Sequence, residues 1–206
     1  VQEFMGLEFY VNEHVLIPRQ DTETLVELVL SEHKEKNISL LDVCTGSGCI
    51  AISLAKLGGY TDVTALDLSE EALKVARSNG EKLLDQPVKF IKSDMFSALN
   101  PEKQYNVIVS NPPYIPSQVI EGLEPEVKDH EPRMALDGEP DGLKFYRILA
   151  EEGKKYLKNG GSIYMEIGWD QAKDVTEIFE AMGFSGRRTV RDMAGNDRVV
   201  CARKEK

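Results

Sequence analysis

The sequence predicts an α/β fold built on a mostly parallel sheet, and three observations carry that expectation. β-prone runs at 40–44, 62–66, 88–91, 105–110 and 162–167 alternate with segments of helical periodicity. Such alternation makes βαβ units with right-handed crossovers. The first run passes through Thr45-Gly46-Ser47-Gly48 into apolar residues at helical spacing, Ile50, Ala51, Leu54 and Ala55. The last two runs, 184–190 and 198–202, are separated by Gly195-Asn196-Asp197 and predict an antiparallel pair.

In chain order, residues 7–11 and 14–17 flank Asn12-Glu13 and predict a β-hairpin, so that 1–18 form an N-terminal hairpin and 19–206 the main domain. A helix follows, with Asp21 as N-cap and Leu25, Val26, Val29 and Leu30 as its buried stripe. The glycine turn leads into a helix over 49–57, stopped by Gly58-Gly59. Ser69 caps the next helix, with Glu70-Glu71 at its positive end. Residues 117–140, rich in Pro, Glu and Gly, read as a long loop of the kind that carries function. Asp141 and Asp170 are the expected caps of the last two helices, and Gly183 ends the second.

With 41% hydrophobic and 29% charged residues over 206 positions, the chain has the composition of a globular domain with a core. No apolar run is long enough for a membrane helix, and the N-terminus lacks a basic-then-apolar signal, which points to a cytoplasmic protein without a membrane partner. Val1 is not an initiator Met, which suggests a segment upstream. Cys44, Cys49 and Cys201 are not spaced like a metal site and read as reduced core residues rather than a redox pair. The net charge of −10, with no Lys/Arg cluster beyond Arg187-Arg188 and the tail, argues against direct nucleic-acid binding.

Strand, glycine turn and helix together bring backbone N–H groups and a helix N-terminus against a ligand. Gly46-Ser47-Gly48-Cys49-Ile50-Ala51 also fits the dinucleotide pattern G-x-G-x-x-A, and Asp67 ends the next strand where a ribose-binding carboxylate belongs. This half of the chain indicates an adenosine-type cofactor without saying which. The choice turns on Asn111-Pro112-Pro113-Tyr114, which ends the fourth strand. With strand order 3-2-1-4-5, strands one and four are neighbours, and Gly46, Gly48 and Asn111 face one crevice. A nicotinamide enzyme has no use for this turn. Two prolines hold the Asn side chain and its neighbouring carbonyl in one geometry.

These residues resemble class I S-adenosylmethionine-dependent methyltransferases acting on a planar nitrogen. Residues 15–19, 42–48, 111–115 and 131–138 together are similar to the HemK/PrmC protein-glutamine methyltransferases, which act on the Gly-Gly-Gln glutamine of peptide chain release factors. The resemblance covers nearly the whole chain. It departs at Gln20-Asp21, where the family has Pro-Glu, and at Cys44, often Gly. It also implies a small helical N-terminal domain that the sequence does not contain.

The resemblance implies a Rossmann-like, seven-stranded sheet with one antiparallel C-terminal strand. It implies S-adenosyl-L-methionine as cofactor, S-adenosyl-L-homocysteine as product, a release factor as protein partner, no metal, and a monomer. Cys44, Thr45, Gly46, Ser47 and Gly48 would lie along the methionine and ribose, Asp67 and Leu68 at the ribose, and Asp94 and Met95 at the adenine. Asn111 and the Pro112 carbonyl would accept the N–H bonds of the substrate amide, and Pro113 and Tyr114 would pack on it. The competing expectations are a ribosomal-protein glutamine methyltransferase, a nucleic-acid amino-methyltransferase working on a flipped base, a nicotinamide dehydrogenase and a non-catalytic cofactor-binding module.

Overall fold

A computed structural model describes residues 1–128 and 130–205; Asp129, inside the predicted 117–140 loop, and Lys206, the end of the predicted main domain, lie outside the described residues. The N-terminal hairpin is β1 (Gln2–Phe4) and β2 (Leu7–Phe9), paired antiparallel about Met5-Gly6. This corrects the expected pairing of 7–11 with 14–17, since 10–17 contain no strand. Met5 and Gly6 both hold positive φ, +53° and +73°, which is the two-residue turn whose twist matches a hairpin. Met is an unusual residue for that turn, and the sequence signal was correspondingly weak.

The main domain runs α1 (Gln20–Glu32), β3 (Ser39–Val43), α2 (Cys49–Gly58), β4 (Asp62–Asp67), α3 (Glu70–Leu83), β5 (Lys89–Lys92) and β6 (Tyr105–Ser110). Three one-turn helices follow, α4 (Ser117–Ile120), α5 (Pro125–Lys128) and α6 (Arg133–Leu136), where a plain loop was expected. The chain ends with α7 (Lys144–Tyr156), β7 (Leu157–Glu166), α8 (Ala172–Ala181), β8 (Ser185–Arg191) and β9 (Asp197–Arg203).

The sheet has seven strands in the order β5-β4-β3-β6-β7-β9-β8, and β9 runs opposite to the other six. Alternation along each strand divides the core. Leu40, Val107, Val109 and Tyr164 pack under α1 and α2, whereas Leu41, Val43, Ile108, Ile163 and Met165 pack under α7 and α8. Burial on both faces explains why the central strands read as continuous apolar runs.

Ser69 caps α3 as expected, its Oγ accepting from Ala72 N at 3.1 Å. The other three predicted caps are displaced. Asp21 lies inside the first turn of α1, whose N-cap is Arg19. Asp141 accepts from Leu143 N at 3.0 Å, one turn ahead of α7, and Gln171 rather than Asp170 precedes α8. An acidic side chain near a helix start serves either as a cap or as a first-turn charge, and sequence does not separate the two.

Gly48 joins the turn to α2 at φ +83°, and a Cβ there would stand 2.9 Å from Ile52 Cδ1 and 3.2 Å from Ala76 Cβ. Both the conformation and the α2–α3 contact demand glycine. Gly48→Ala should therefore destabilise the domain by about 1–3 kcal/mol. Urea denaturation gives the test, and an unchanged midpoint with unchanged slope would refute the packing argument.

Candidate active site

Parallel strands end at one edge of the sheet, and a cleft of about 990 Å³, open mouth included, lies there. Cys44, Thr45, Gly46 and Ser47 line it after β3, Asp67 and Leu68 after β4, Asp94 and Met95 after β5, and Asn111 and Pro113 after β6. The structure thus brings together ten of the thirteen residues expected at the site. Gly48, Pro112 and Tyr114 do not line the cleft. Gly48 packs between helices, Pro112 is buried, and Tyr114 turns its hydroxyl onto Glu166 Oε1 at 3.2 Å.

The turn after β3 is laced to the end of β4. Thr45 N donates to Leu66 O at 2.8 Å and Gly46 N to Asp67 Oδ2 at 2.8 Å, while Asp67 Oδ1 accepts from Ser69 N at 2.9 Å. Burial raises the Asp67 carboxyl above the usual range, against the pull of those two N–H bonds. Each carboxylate oxygen keeps a lone pair beyond the one so used. Beneath the turn, Asp42 is fully buried, and its Oδ2 accepts from Thr45 Oγ1 at 2.6 Å while Oδ1 lacks a short hydrogen bond among the described residues. Burial pushes this carboxyl up to about 7. Cys44 holds φ +65°, which gives a physical reason for the glycine often found at that position in the family it resembles.

Two segments complete the cleft from outside the sheet. Val15, Leu16, Pro18 and Arg19 of one and Pro132, Met134 and Ala135 of the other line it. They are joined by an ion pair of 2.6 Å between Arg19 Nη2 and the buried Glu131 Oε1. The leading strap is anchored by Asn79 on α3. Its Oδ1 accepts from Tyr10 N at 2.8 Å, and its Nδ2 donates to Tyr10 O and Ser47 O, each at 3.0 Å. One buried amide thereby ties the strap to the glycine turn.

Behind Asn111 stands a polar cluster that sequence reasoning missed. Asn111 Nδ2 donates to Thr22 Oγ1 at 3.5 Å, the long limit for such a bond. Glu166, at the end of β7, receives Tyr114 on Oε1 and leaves Oε2 without a short hydrogen bond. Burial pushes the Glu166 carboxyl up to about 7, opposed by the Thr22 hydroxyl, by Arg198 and by the Tyr114 hydroxyl. A signal existed in the period-2 pattern. Tyr164 faces α1, so Glu166 does too, and a carboxylate on the core face of a buried strand needs a reason.

The cleft fits S-adenosylmethionine. At Gly46 the place of a Cβ is open space, with nothing within 4 Å, so the turn can lie close along a ligand. Asp67 offers hydroxyl acceptors, and Val15, Leu66, Leu68 and Met95 give apolar walls. A doubly wound seven-stranded sheet whose glycine turn, β4 carboxylate and Asn-Pro-Pro turn share one cleft defines a class I S-adenosylmethionine-dependent methyltransferase.

Known proteins narrow the class. Residues 20–122 match the family model described as Methyltransferase small domain. The chain is 44% identical to the release factor glutamine methyltransferase of Fusobacterium nucleatum subsp. nucleatum over 98% of its own length and 57% of that protein's. It is 45% identical to that of Clostridium acetobutylicum over 97% and 71% of the two chains. The chain belongs to the release factor glutamine methyltransferase family. Among solved structures, the release factor-specific protein-(glutamine-N5) methyltransferase of Alicyclobacillus acidocaldarius subsp. acidocaldarius superposes with a TM-score of 0.56 at 32% identity, covering 96% of this chain and 100% of that one.

Asp67→Ala removes both a hydroxyl acceptor and the clamp on Gly46. It should weaken S-adenosylmethionine binding by about tenfold or more. Calorimetry on the folded variant measures this, and unchanged affinity would take Asp67 out of the site.

Proposed function

We propose that the chain transfers a methyl group from S-adenosylmethionine to the side-chain amide nitrogen of the glutamine in the Gly-Gly-Gln motif of peptide chain release factors, acting as a cytoplasmic monomer on protein rather than nucleic acid. The single observation that carries the reading is that Asn111 enters the same cleft as the glycine turn and Asp67. Among the described residues no helix is long and apolar enough to cross a membrane.

An amide nitrogen is a poor nucleophile because its lone pair is delocalised. The chemistry that bound S-adenosylmethionine supplies is an activated methyl: the nitrogen gains the carbon, sulfur keeps the electron pair of the broken carbon–sulfur bond, and the nitrogen sheds one proton to water. Everything else is positioning. Asn111 Oδ1 accepts an N–H bond of the substrate amide, which aligns the nitrogen and favours positive charge developing on it; the Pro112 carbonyl, expected as the second acceptor, belongs to a buried residue that does not line the cleft. Pro112 and Pro113 keep Asn111 from reorienting. The turn from Cys44 to Ser47 and Asp67 would hold the cofactor, and Asp94 with Met95 would border its adenine. Tyr114 anchors the turn from behind through Glu166 rather than stacking on the amide.

The substrate follows from the surroundings. A flipped base arrives with phosphates, which a chain of net charge −10 meets poorly. A glutamine on a glycine-rich loop presents a bare backbone that can enter the cleft lined by the 15–19 strap and the 132–135 segment. A free peptide should react more weakly because its ends must be ordered on binding.

Intact-mass spectrometry of a release factor incubated with enzyme and S-adenosylmethionine should show one added methyl, absent from a Gln→Ala control and from an oligonucleotide. Methylation of the oligonucleotide, or of the control protein equally, overturns the assignment. Asn111→Ala should lower turnover by roughly 10²-fold or more with little change in cofactor affinity. Loss of rate in proportion to cofactor binding would contradict the role given to Asn111.

A further inference from the structure

Asn111 can serve the reaction only if its oxygen, not its nitrogen, faces the substrate amide, and nothing in Asn111 itself decides this. An Asn side chain has an acceptor end and a donor end of nearly equal shape. The partner at its other end must make the choice. That partner is Thr22 Oγ1 on the first turn of α1, 3.5 Å from Asn111 Nδ2 and 2% exposed. A hydroxyl is equally ambiguous, since it both donates and accepts. Thr22 in turn faces Glu166, which is 2% exposed, with Oε1 taken by Tyr114 and Oε2 lacking a short hydrogen bond. An ionised carboxylate accepts only.

We propose that Glu166 and Thr22 form a positioning relay that sets the orientation of the Asn111 amide: ionised Glu166 accepts a hydrogen bond from the Thr22 hydroxyl, Thr22 Oγ1 is left to accept from Asn111 Nδ2, and Asn111 Oδ1 is thereby presented to the cleft. This rests on Asn111 being the acceptor of the substrate amide. Sheet geometry supports the arrangement independently. Ser110 pairs with Met165, so Asn111 and Glu166 leave neighbouring strands side by side, both on the face covered by α1.

The relay has a second state. Protonated Glu166 donates to Thr22, Thr22 then donates to Asn111 Oδ1, and the amide turns its NH₂ toward the cleft, where two donors meet. The groups around Glu166 hold it near the balance point. Arg198 on β9 and the Tyr114 hydroxyl favour the charge, and Asp21 on α1 opposes it. Tyr146 on α7 donates to the Glu166 main-chain oxygen at 2.8 Å, and Cys49 on α2 feels the carboxylate. Burial is the largest influence and raises the carboxyl to about 7. Methyl transfer should therefore rise with pH through this region as Glu166 ionises.

The full chain serves for the test. Thr22→Val keeps the shape and removes the relay; kcat should fall about tenfold or more while S-adenosylmethionine affinity and the KM for release factor each change less than about threefold. Thr22→Ser, which keeps the hydroxyl, should stay within about threefold of the parent kcat. Glu166→Gln should abolish the rise of kcat with pH. In the protein without substrate, the ¹⁵N side-chain amide resonance of Asn111, identified by its loss in Asn111→Ala, should move with pH around 7, and this movement should vanish in Glu166→Gln or Thr22→Val. A parent kcat in Thr22→Val, an unaltered pH profile in Glu166→Gln, or an Asn111 resonance that does not titrate overturns the relay. If the parent protein fails to methylate a release factor, the proposed substrate falls, and the NMR titration still decides the relay because it needs no substrate. It also decides it from the parent alone if the Glu166 or Thr22 variants do not fold.

Discussion

Everything at the site depends on β3 and β6 lying side by side and parallel. Val43 pairs with Ser110, and the buried Ser110 hydroxyl donates to Val43 O at 2.6 Å, a cross-strand bond at the last residue of each strand. A strand ending in a glycine turn and a strand ending in Asn-Pro-Pro are unremarkable apart. Set next to each other at the same edge, they place a cofactor cradle and an amide acceptor within one cleft. The apolar faces that hold the pair in register are Leu40, Val107 and Val109 on one side and Leu41, Val43 and Ile108 on the other. A slip of one residue would exchange the two faces and turn Asn111 away from α1.

The cleft is closed by segments distant in sequence, each fastened by one buried polar group. Asn79 ties the strap to the glycine turn through two bonds to Tyr10 and one to Ser47, all to main-chain atoms, and Glu131 holds Arg19. Such groups carry more consequence than their number suggests, because a buried amide or carboxylate that loses its partner costs about 1–3 kcal/mol or more. Asp42 and Glu166 show the complementary pattern. Both are fully buried with one oxygen lacking a short hydrogen bond among the described residues, both are pushed up to about 7 by burial, and both stand directly behind the turns that line the cleft.

The parts legible in the sequence share a physical feature, which is that their signals are local. Strand, turn and helix at 40–57 follow from apolar periodicity and two glycines, and Ser69 with Glu70-Glu71 announces a helix start through a cap and a favourable charge. Asp67 is legible because a carboxylate ending a buried strand has few other uses. Hairpin placement failed because the Met5-Gly6 turn lacks the usual Asn or Asp. The 117–140 stretch was read as loop because four-residue helices such as α4 and α6 are too short to show a period and are held instead by tertiary bonds, among them Ser117 Oγ to Asp137 Oδ1 at 2.5 Å.

Taken alone, the sequence determined the fold class, the cofactor turn and the presence of Asn111-Pro112-Pro113-Tyr114, since each rests on residues within a few positions of one another. Only the tertiary structure decided what surrounds Asn111. Thr22 on α1, the Asn111–Tyr114 turn after β6 and Glu166 on β7 come from three separate places in the chain, and no spacing connects them. It also decided that Tyr114 faces Glu166 rather than the cleft, and that Arg19 reaches Glu131 across 112 positions. Local patterns encode how a segment buries its apolar face, whereas the partner of a buried polar group is whatever the packed fold brings within 3.5 Å.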